Sequence, residues 1–310
     1  MKIAIDKEQA TQISKQFLLK HNFGELISLR KMNEGFLNSL YEINNEFILK
    51  ICGDVVLESH FKNGLELIHH FQGKLPVPVV IEKDFTKKLL PSIFYFYYKI
   101  PGVPLSSTWH TIDNLTREDY IKQIISYLKI INSSDVSPIL KKPRQNWALI
   151  RKNQIQTIIA QIEKNDFLDK QMISKIKSYY EANWLILKES LIVPVYWDLH
   201  LGNFLVSDSQ ITGILDLESI EYLSIDYALN IIYQMVQYPH LFLPKKYEHF
   251  SLISDYKFVI QWFKKHYPEM FAFPSIDIRI KLYALEYDLN LLLTYPSSES
   301  LKHRLKQILE

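Results

Sequence analysis

Asp198-Leu199-His200-Leu201-Gly202-Asn203, followed by Ile214-Leu215-Asp216, sets a carboxylate, an amide and a second carboxylate in the order that phosphoryl transfer needs. An alcohol attacking the γ-phosphate of a nucleotide must be held and relieved of its proton, a task that suits the carboxylate of Asp198. Charge on the phosphate oxygens is neutralised by Mg²⁺, which takes hard oxygen ligands of the kind Asn203 and Asp216 offer. The flanking residues read as strand, loop and hairpin. Leu191-Ile-Val-Pro-Val-Tyr196 is an apolar run into the loop and Asn203-Phe-Leu-Val206 resumes it; Ser207-Asp-Ser-Gln210 is a turn and Ile211-Thr-Gly-Ile-Leu215 the returning strand. Such a hairpin presents Asn203 and Asp216 at the same end.

The segment Asp198 to Asn203 resembles the catalytic loop of the aminoglycoside phosphotransferase and choline kinase superfamily. Leu215-Asp216-Leu-Glu218 resembles its metal-binding segment, and Ser224-Ile-Asp226-Tyr-Ala-Leu229 is similar to its next motif. The resemblance implies Asp198 as the catalytic base, Asn203 and Asp216 as Mg²⁺ ligands, ATP or GTP as donor, and His200 and Asp226 as supports of the catalytic loop. It also implies an α+β, bilobal protein-kinase-like fold, with a small antiparallel-sheet N-lobe over 1–99 that binds nucleotide. A larger, mainly helical C-lobe over 100–310 would carry the catalytic loop and the substrate site. Two departures stand out: Tyr196-Trp197 replaces the usual His-Gly before the Asp, and Asn132 stands where relatives often have His. Loss of that glycine's backbone freedom requires either an adapted loop or weaker catalysis.

Composition narrows the setting. With 310 residues, 47% of them hydrophobic, the chain can build a large packed core. Lys and Arg number 36 against 34 acids, a net charge of +2, so neither a nucleic acid nor an anionic membrane is expected as partner. A single cysteine, Cys52, excludes an internal disulfide framework, and the N-terminus lacks an apolar signal core. The longest apolar run, Leu89 to Tyr98, is too short to span a bilayer, and a cytoplasmic location is expected. No G-x-G-x-x-G or G-x-x-x-x-G-K motif is present, which speaks against Rossmann and P-loop enzymes.

Upstream, the spacing of Ala10, Ile13, Phe17 and Leu18 predicts an opening helix over Asp6 to His21, with Asp6 as cap. Strands are predicted at Leu26–Leu29, Ser39–Ile43 and Glu46–Ile51, the last two joined by a tight Asn44-Asn45 turn. Asn33-Glu-Gly35-Phe-Leu-Asn38-Ser39 resembles the family's nucleotide loop, which implies that Gly35, Asn38 and Ser39 lie against phosphates; the same residues are ordinary hairpin material. Lys50, in Phe-Ile-Leu-Lys-Ile, matches the kinase lysine that contacts the α- and β-phosphates, against the plainer reading of a solvent-facing strand lysine. Its acidic partner is expected on a helix from Val56 to Phe71, where Glu58 and Glu66 are candidates and Glu66 is preferred. Counting back from Gly73-Lys-Leu-Pro-Val-Pro78, which resembles the family's next segment, lands instead on Gly64.

Phe94-Tyr-Phe-Tyr-Tyr98-Lys-Ile100-Pro-Gly102 looks like the last N-lobe strand and hinge, implying that backbone groups of Tyr97, Tyr98 and Lys99 meet the adenine edge. Helices are predicted beyond it over 117–132, 154–164, 169–189, 227–237, 252–266 and 276–294. Only ten positions separate Asp216 from Asp226, too few for the activation loop that presents a peptide, so a small hydroxylated substrate is expected and a protein substrate is not. Relatives phosphorylate aminoglycosides, choline and similar compounds, many of them cationic, and Glu218, Glu221, Glu286, Tyr287 and Asp288 are candidates for cation binding. The plainer reading puts Glu286 and Asp288 on the solvated face of a helix. A kinase-like binding protein without catalysis, as among spore-coat proteins of this fold, is the alternative function.

Overall fold

The computed structural model describes residues 6–32, 38–143 and 146–309. In chain order the elements are α1 (Lys7–Lys20), β1 (Leu29–Met32), β2 (Asn38–Ile43), β3 (Phe47–Cys52), α2 (Glu58–Phe71), β4 (Val80–Asp84), β5 (Phe94–Tyr98), β6 (Val103–Pro104) and α3 (Leu105–Thr108). They continue with α4 (Asn114–Ser133), α5 (Trp147–Lys164), α6 (Lys170–Asn183), β7 (Ile192–Tyr196), β8 (Phe204–Ser207), β9 (Gln210–Ile214), β10 (Ile220–Ser224), α7 (Leu229–Gln237), α8 (Val259–His266), α9 (Ile276–Thr294) and α10 (Glu299–Leu309). The chain packs as two units: Met1–Tyr120, Leu201–Ser219 and Phe242–Ser251 form the first, and Ile121–His200, Ile220–Leu241 and Leu252–Glu310 the second.

In the first unit a five-stranded antiparallel sheet runs β1-β2-β3-β5-β4. The expected cap, Asp6, opens α1 by accepting from the Gln9 N–H at 2.8 Å, and the Gln9 side chain completes a capping box. The β2–β3 turn falls at the expected Asn44-Asn45, whose φ of 51° and 60° are left-handed, but Ile43 pairs with Phe47, so Glu46 belongs to the loop and not to β3. The Asn44 side chain also accepts from the N–H groups of Ile27 and Ser28, at 2.8 and 3.0 Å. Those donors are thereby taken from the ladder, and β1 begins at Leu29 rather than Leu26. One face of the sheet packs on α1, where Phe17 stacks on Phe96 with ring centroids 4.0 Å apart. Residue alternation turns Ile48 and Lys50 to the other face, in register with Tyr97 and Tyr95. Helix α2 covers that face, Phe61 lying 5.1 Å from Tyr95. β3 is therefore buried at every position, Lys50 included, contrary to a solvent-facing lysine.

The edge strand β4 has no counterpart in the sequence reading. Its side chains Glu82, Lys83 and Asp84 carry no apolar alternation, and a bulge between Val80 and Glu82 breaks the period. A smaller sheet, β6-β8-β9, completes the unit, and its hairpin turns at Asp208-Ser209, φ 49° and 61°. Gly102 enters β6 at φ 119°, where an added Cβ would stand 2.6 Å from the Val206 carbonyl oxygen.

The second unit is mainly helical around an antiparallel ribbon in which β7 pairs with β10, Tyr196 opposite Ile220 and Ile192 opposite Ser224. Caps move several helix starts from their predicted places. Asn146 accepts from Ala148 N–H at 2.9 Å, so α5 begins at Trp147. Asp169 accepts from Met172 N–H at 2.7 Å, and α6 tightens into a 3₁₀ turn over Trp184–Lys188 where one long helix was expected. Helix α9 spans the predicted residues, 276–294, but most of it is buried, and Glu286 and Asp288 do not face solvent as expected. Among the described residues no helix is long and apolar enough to cross a membrane.

Candidate active site

The β8–β9 hairpin positions the two predicted metal ligands. The Leu215 N–H donates to the Asn203 carbonyl at 2.9 Å, holding Asn203 and Asp216 at the same end of the hairpin. Asp216 leaves β9 in the left-handed region, φ 52°, a conformation Asp tolerates better than most residues. Its carbonyl is fixed by the Ser219 N–H and hydroxyl, at 3.1 and 2.9 Å, so the turn 217–219 folds back at once. Asn203 is buried, whereas the Asp216 side chain is half exposed.

Lys50 meets this turn. Its Nζ donates to Asp216 Oδ1 at 2.8 Å and to Glu218 Oε1 at 2.5 Å. Burial disfavours the ammonium, but the two carboxylates outweigh it and hold the Lys50 pKa well above its usual value. Burial and the neighbouring Asp216 push Glu218 upward, and Lys50 pulls it back. Asn38 joins the cluster, its amide donating to Glu218 Oε1 at 3.2 Å. Tyr95 and Tyr97 line the same face; burial raises the pKa of both hydroxyls, so they stay protonated.

The preferred partner, Glu66, lies elsewhere: it accepts from Lys83 at 3.3 Å on a half-exposed surface. Glu58, the other candidate, pairs with Lys87 at 2.5 Å. Glu218, which the sequence suggested for substrate, occupies the place expected of them. The adenine-edge expectation is also narrowed, because the N–H groups of Tyr98 and Lys99 donate to the carbonyls of Val79 (3.0 Å) and Glu46 (2.7 Å). Ser39 sits in β2 opposite Ile51, and Gly35 lies outside the described residues.

In the second unit, Asp198 follows β7. The His200 N–H donates to the Asp198 carbonyl at 3.0 Å, and His200 Nε2 is 3.6 Å from Asp198 Oδ2, so this histidine stands directly beside the predicted base. Tyr196 is buried, and neither it nor Trp197 has positive φ. Asn132, the second departure, donates to the Pro194 carbonyl at 2.5 Å and accepts from Tyr267 at 2.7 Å, tying α4 to β7. Tyr287 on α9 is pushed up to about 12 by burial and then by the charge of Asp198.

Asp226 does not brace the 198–203 segment as expected. It accepts from Arg279 at 2.7 Å and from Tyr283 at 3.1 Å, while Arg279 donates to the carbonyls of Ile186 and Glu189 at 2.7 and 2.8 Å. The pair thus locks the entrance of β7, the end away from Asp198. Glu286 is buried against Arg151 at 3.0 Å, and Asp288 against Arg304, whose Nε is 3.1 Å away. These two substrate candidates are engaged within the core, and Glu221 on β10 stays partly exposed. Sequence reasoning missed Arg151, Arg279 and Arg304, since an arginine in a helix gives no signal of burial until its carboxylate is known.

A sheet of this topology with a helical partner unit, carrying the Lys, Asp, Asn and Asp series, defines the α+β, protein-kinase-like class. Solved aminoglycoside phosphotransferases share the fold. The GDP and kanamycin complex of APH(2″)-IIIa superposes with a TM-score of 0.70 at 12% identity, covering 96% of this chain and 97% of that one. ADP-bound APH(2″)-Ib gives 0.68 at 15% identity over 99% and 97% of the two chains. A thermostable APH(4)-Ia in ternary complex with AMP-PNP and hygromycin B gives 0.65 at 14% identity over 95% and 97%. The profile of the APH phosphotransferase enzyme family matches residues 28–232, and the chain belongs to that family. No curated protein matches the chain.

Proposed function

We propose that this protein transfers the γ-phosphate of ATP or GTP to a hydroxyl of a small molecule, with residues 1–99 as the nucleotide-binding lobe and 100–310 as the lobe for catalysis and substrate, in the cytoplasm. The observation that carries the reading is the convergence of Asn203, Asp216 and Lys50 in the first unit. An amide and a carboxylate suit Mg²⁺, which is commonly held by one or two protein oxygens together with substrate phosphates and water. When bound, Mg²⁺-nucleotide supplies the phosphoryl group and neutralises its charge.

The chain's residues then divide the work. Asn203 and Asp216 hold the metal; Lys50, kept charged by its carboxylates despite burial, contacts phosphate oxygens. Asp198 orients the acceptor hydroxyl and takes its proton, with His200 beside it.

The ten positions from Asp216 to Asp226 support a small acceptor. Kanamycin and hygromycin B, bound by the structural relatives named above, are hydroxylated and cationic, and that chemistry is proposed here too. With Glu286 and Asp288 paired internally, Glu221 and the ring of Tyr287 are the groups proposed to receive a cation. The test is nucleotide consumption against a panel of aminoglycosides, amino alcohols and sugars, together with calorimetric titration of ATP and GTP. Saturable, Mg²⁺-dependent nucleotide binding and turnover with one acceptor class are expected; absence of any Mg²⁺-dependent nucleotide binding would reject the proposal.

A further inference from the structure

We infer that Glu218, two residues beyond the metal-binding Asp216, is the positioning acid of Lys50, and that Gly64 of α2 is the gap that lets it in. The inference rests on the proposed function and assigns this side chain to the nucleotide rather than the acceptor. Helix α2 is the element expected to supply that acid, and the position where it is expected holds a residue without a side chain. A Cβ built at Gly64 would stand 3.0 Å from Glu218 Cβ, 3.1 Å from Glu218 Oε2 and 3.2 Å from Glu218 Cα. The space a helix side chain would fill is therefore occupied by Glu218, whose carboxylate reaches Lys50 at 2.5 Å. Asn38 holds the same oxygen at 3.2 Å and accepts from the Gly53 N–H at 3.4 Å, bracing the acid against β2 and β3. Both glutamates of α2 point to other lysines, Glu58 to Lys87 and Glu66 to Lys83.

The consequence is mechanical. Lys50 takes its two carboxylates from one four-residue turn, Asp216 to Ser219, so the phosphate-contacting ammonium is registered to the metal ligand without passing through α2. Were Asp216 to hold a metal, Glu218 would still keep Lys50 in place.

Two experiments test this. Steady-state kinetics of Glu218→Gln should raise the nucleotide KM roughly tenfold or more, as loss of a charged hydrogen bond does, with the acceptor KM unchanged. Glu218→Asp should recover part of that loss, and Gly64→Ala should shift the nucleotide KM in the same direction with Glu218 intact. A rise in acceptor KM alone, or a loss in Glu66→Gln as large as in Glu218→Gln, would overturn the assignment. The second readout needs no ligand: thermal unfolding of Lys50→Met, Glu218→Gln and the double variant should be strongly non-additive. Additive shifts would overturn the pairing even in an active enzyme. Coupled shifts in a protein that binds no nucleotide would uphold the pairing while the proposed function fails.

Discussion

Lys50 and Asp216 are joined by a 2.8 Å hydrogen bond across 166 positions of sequence, and this bond links strand β3 to the turn that follows β9. In the proposed function a metal held by Asp216 would compete with Lys50 for this carboxylate. Asp216→Ala is expected to weaken Mg²⁺-nucleotide binding by at least about tenfold in calorimetry. Undiminished affinity with the same Mg²⁺ dependence would remove Asp216 from the ligand set.

In the proposed function Asp198 acts on the alcohol and not on the nucleotide. Its replacement by Ala should lower kcat by about 10²- to 10⁴-fold, the usual contribution of a positioned base, with nucleotide affinity retained. A variant that turns over normally would show that the base lies elsewhere.

Arg279 and Asp226 have side chains with no exposure, and Arg279 also holds two carbonyls ahead of β7. Truncating Arg279→Ala leaves a buried carboxylate unpaired and should cost about 3–5 kcal/mol in denaturant unfolding. A loss below ~1 kcal/mol would mean that the pair contributes little beyond what apolar packing would supply.

The buried carboxylates of α9 give a pH dependence of definite sign. Burial raises Glu286 to about 7 and Asp288 to about 6, with Arg151 and Arg304 pulling each back. Because these pKa values lie above those of the unfolded chain, the unfolded state releases its protons first as pH rises. Their contribution to stability is therefore greatest below the unfolded carboxylate range, falls through the interval up to about 7, and is level above it. The fall attributable to Glu286, on the order of 1–3 kcal/mol, should be largely absent in Glu286→Gln. Thermal melts between pH 4 and 8 that run parallel for the two proteins would count against the assignment.

Local chemistry made much of the fold legible. Two consecutive asparagines suit the left-handed turn they make between β2 and β3, the cap at Asp6 opens α1, and the apolar run of α9 gives its observed limits. These features depend on neighbours in sequence. β4 was hidden because its edge position lets polar residues break the alternation. The partner of Lys50 was hidden for a different reason. Side chains on α2 compete for one lysine, and their reach cannot be ranked without knowing which face the helix presents and what fills the space at Gly64.

The sequence by itself determined the chemistry on offer: a carboxylate, an amide and a second carboxylate in a fixed order, a lysine on an apolar strand, and too short a run after Asp216 to present a peptide. Tertiary structure decided which charges meet. It assigned Glu218 to Lys50, Asp226 to Arg279, Glu286 to Arg151 and Asp288 to Arg304, pairs separated by 168, 53, 135 and 16 positions. A buried charge must find its counter-charge wherever the fold brings one within hydrogen-bond reach, and that distance is a property of packing rather than of sequence spacing.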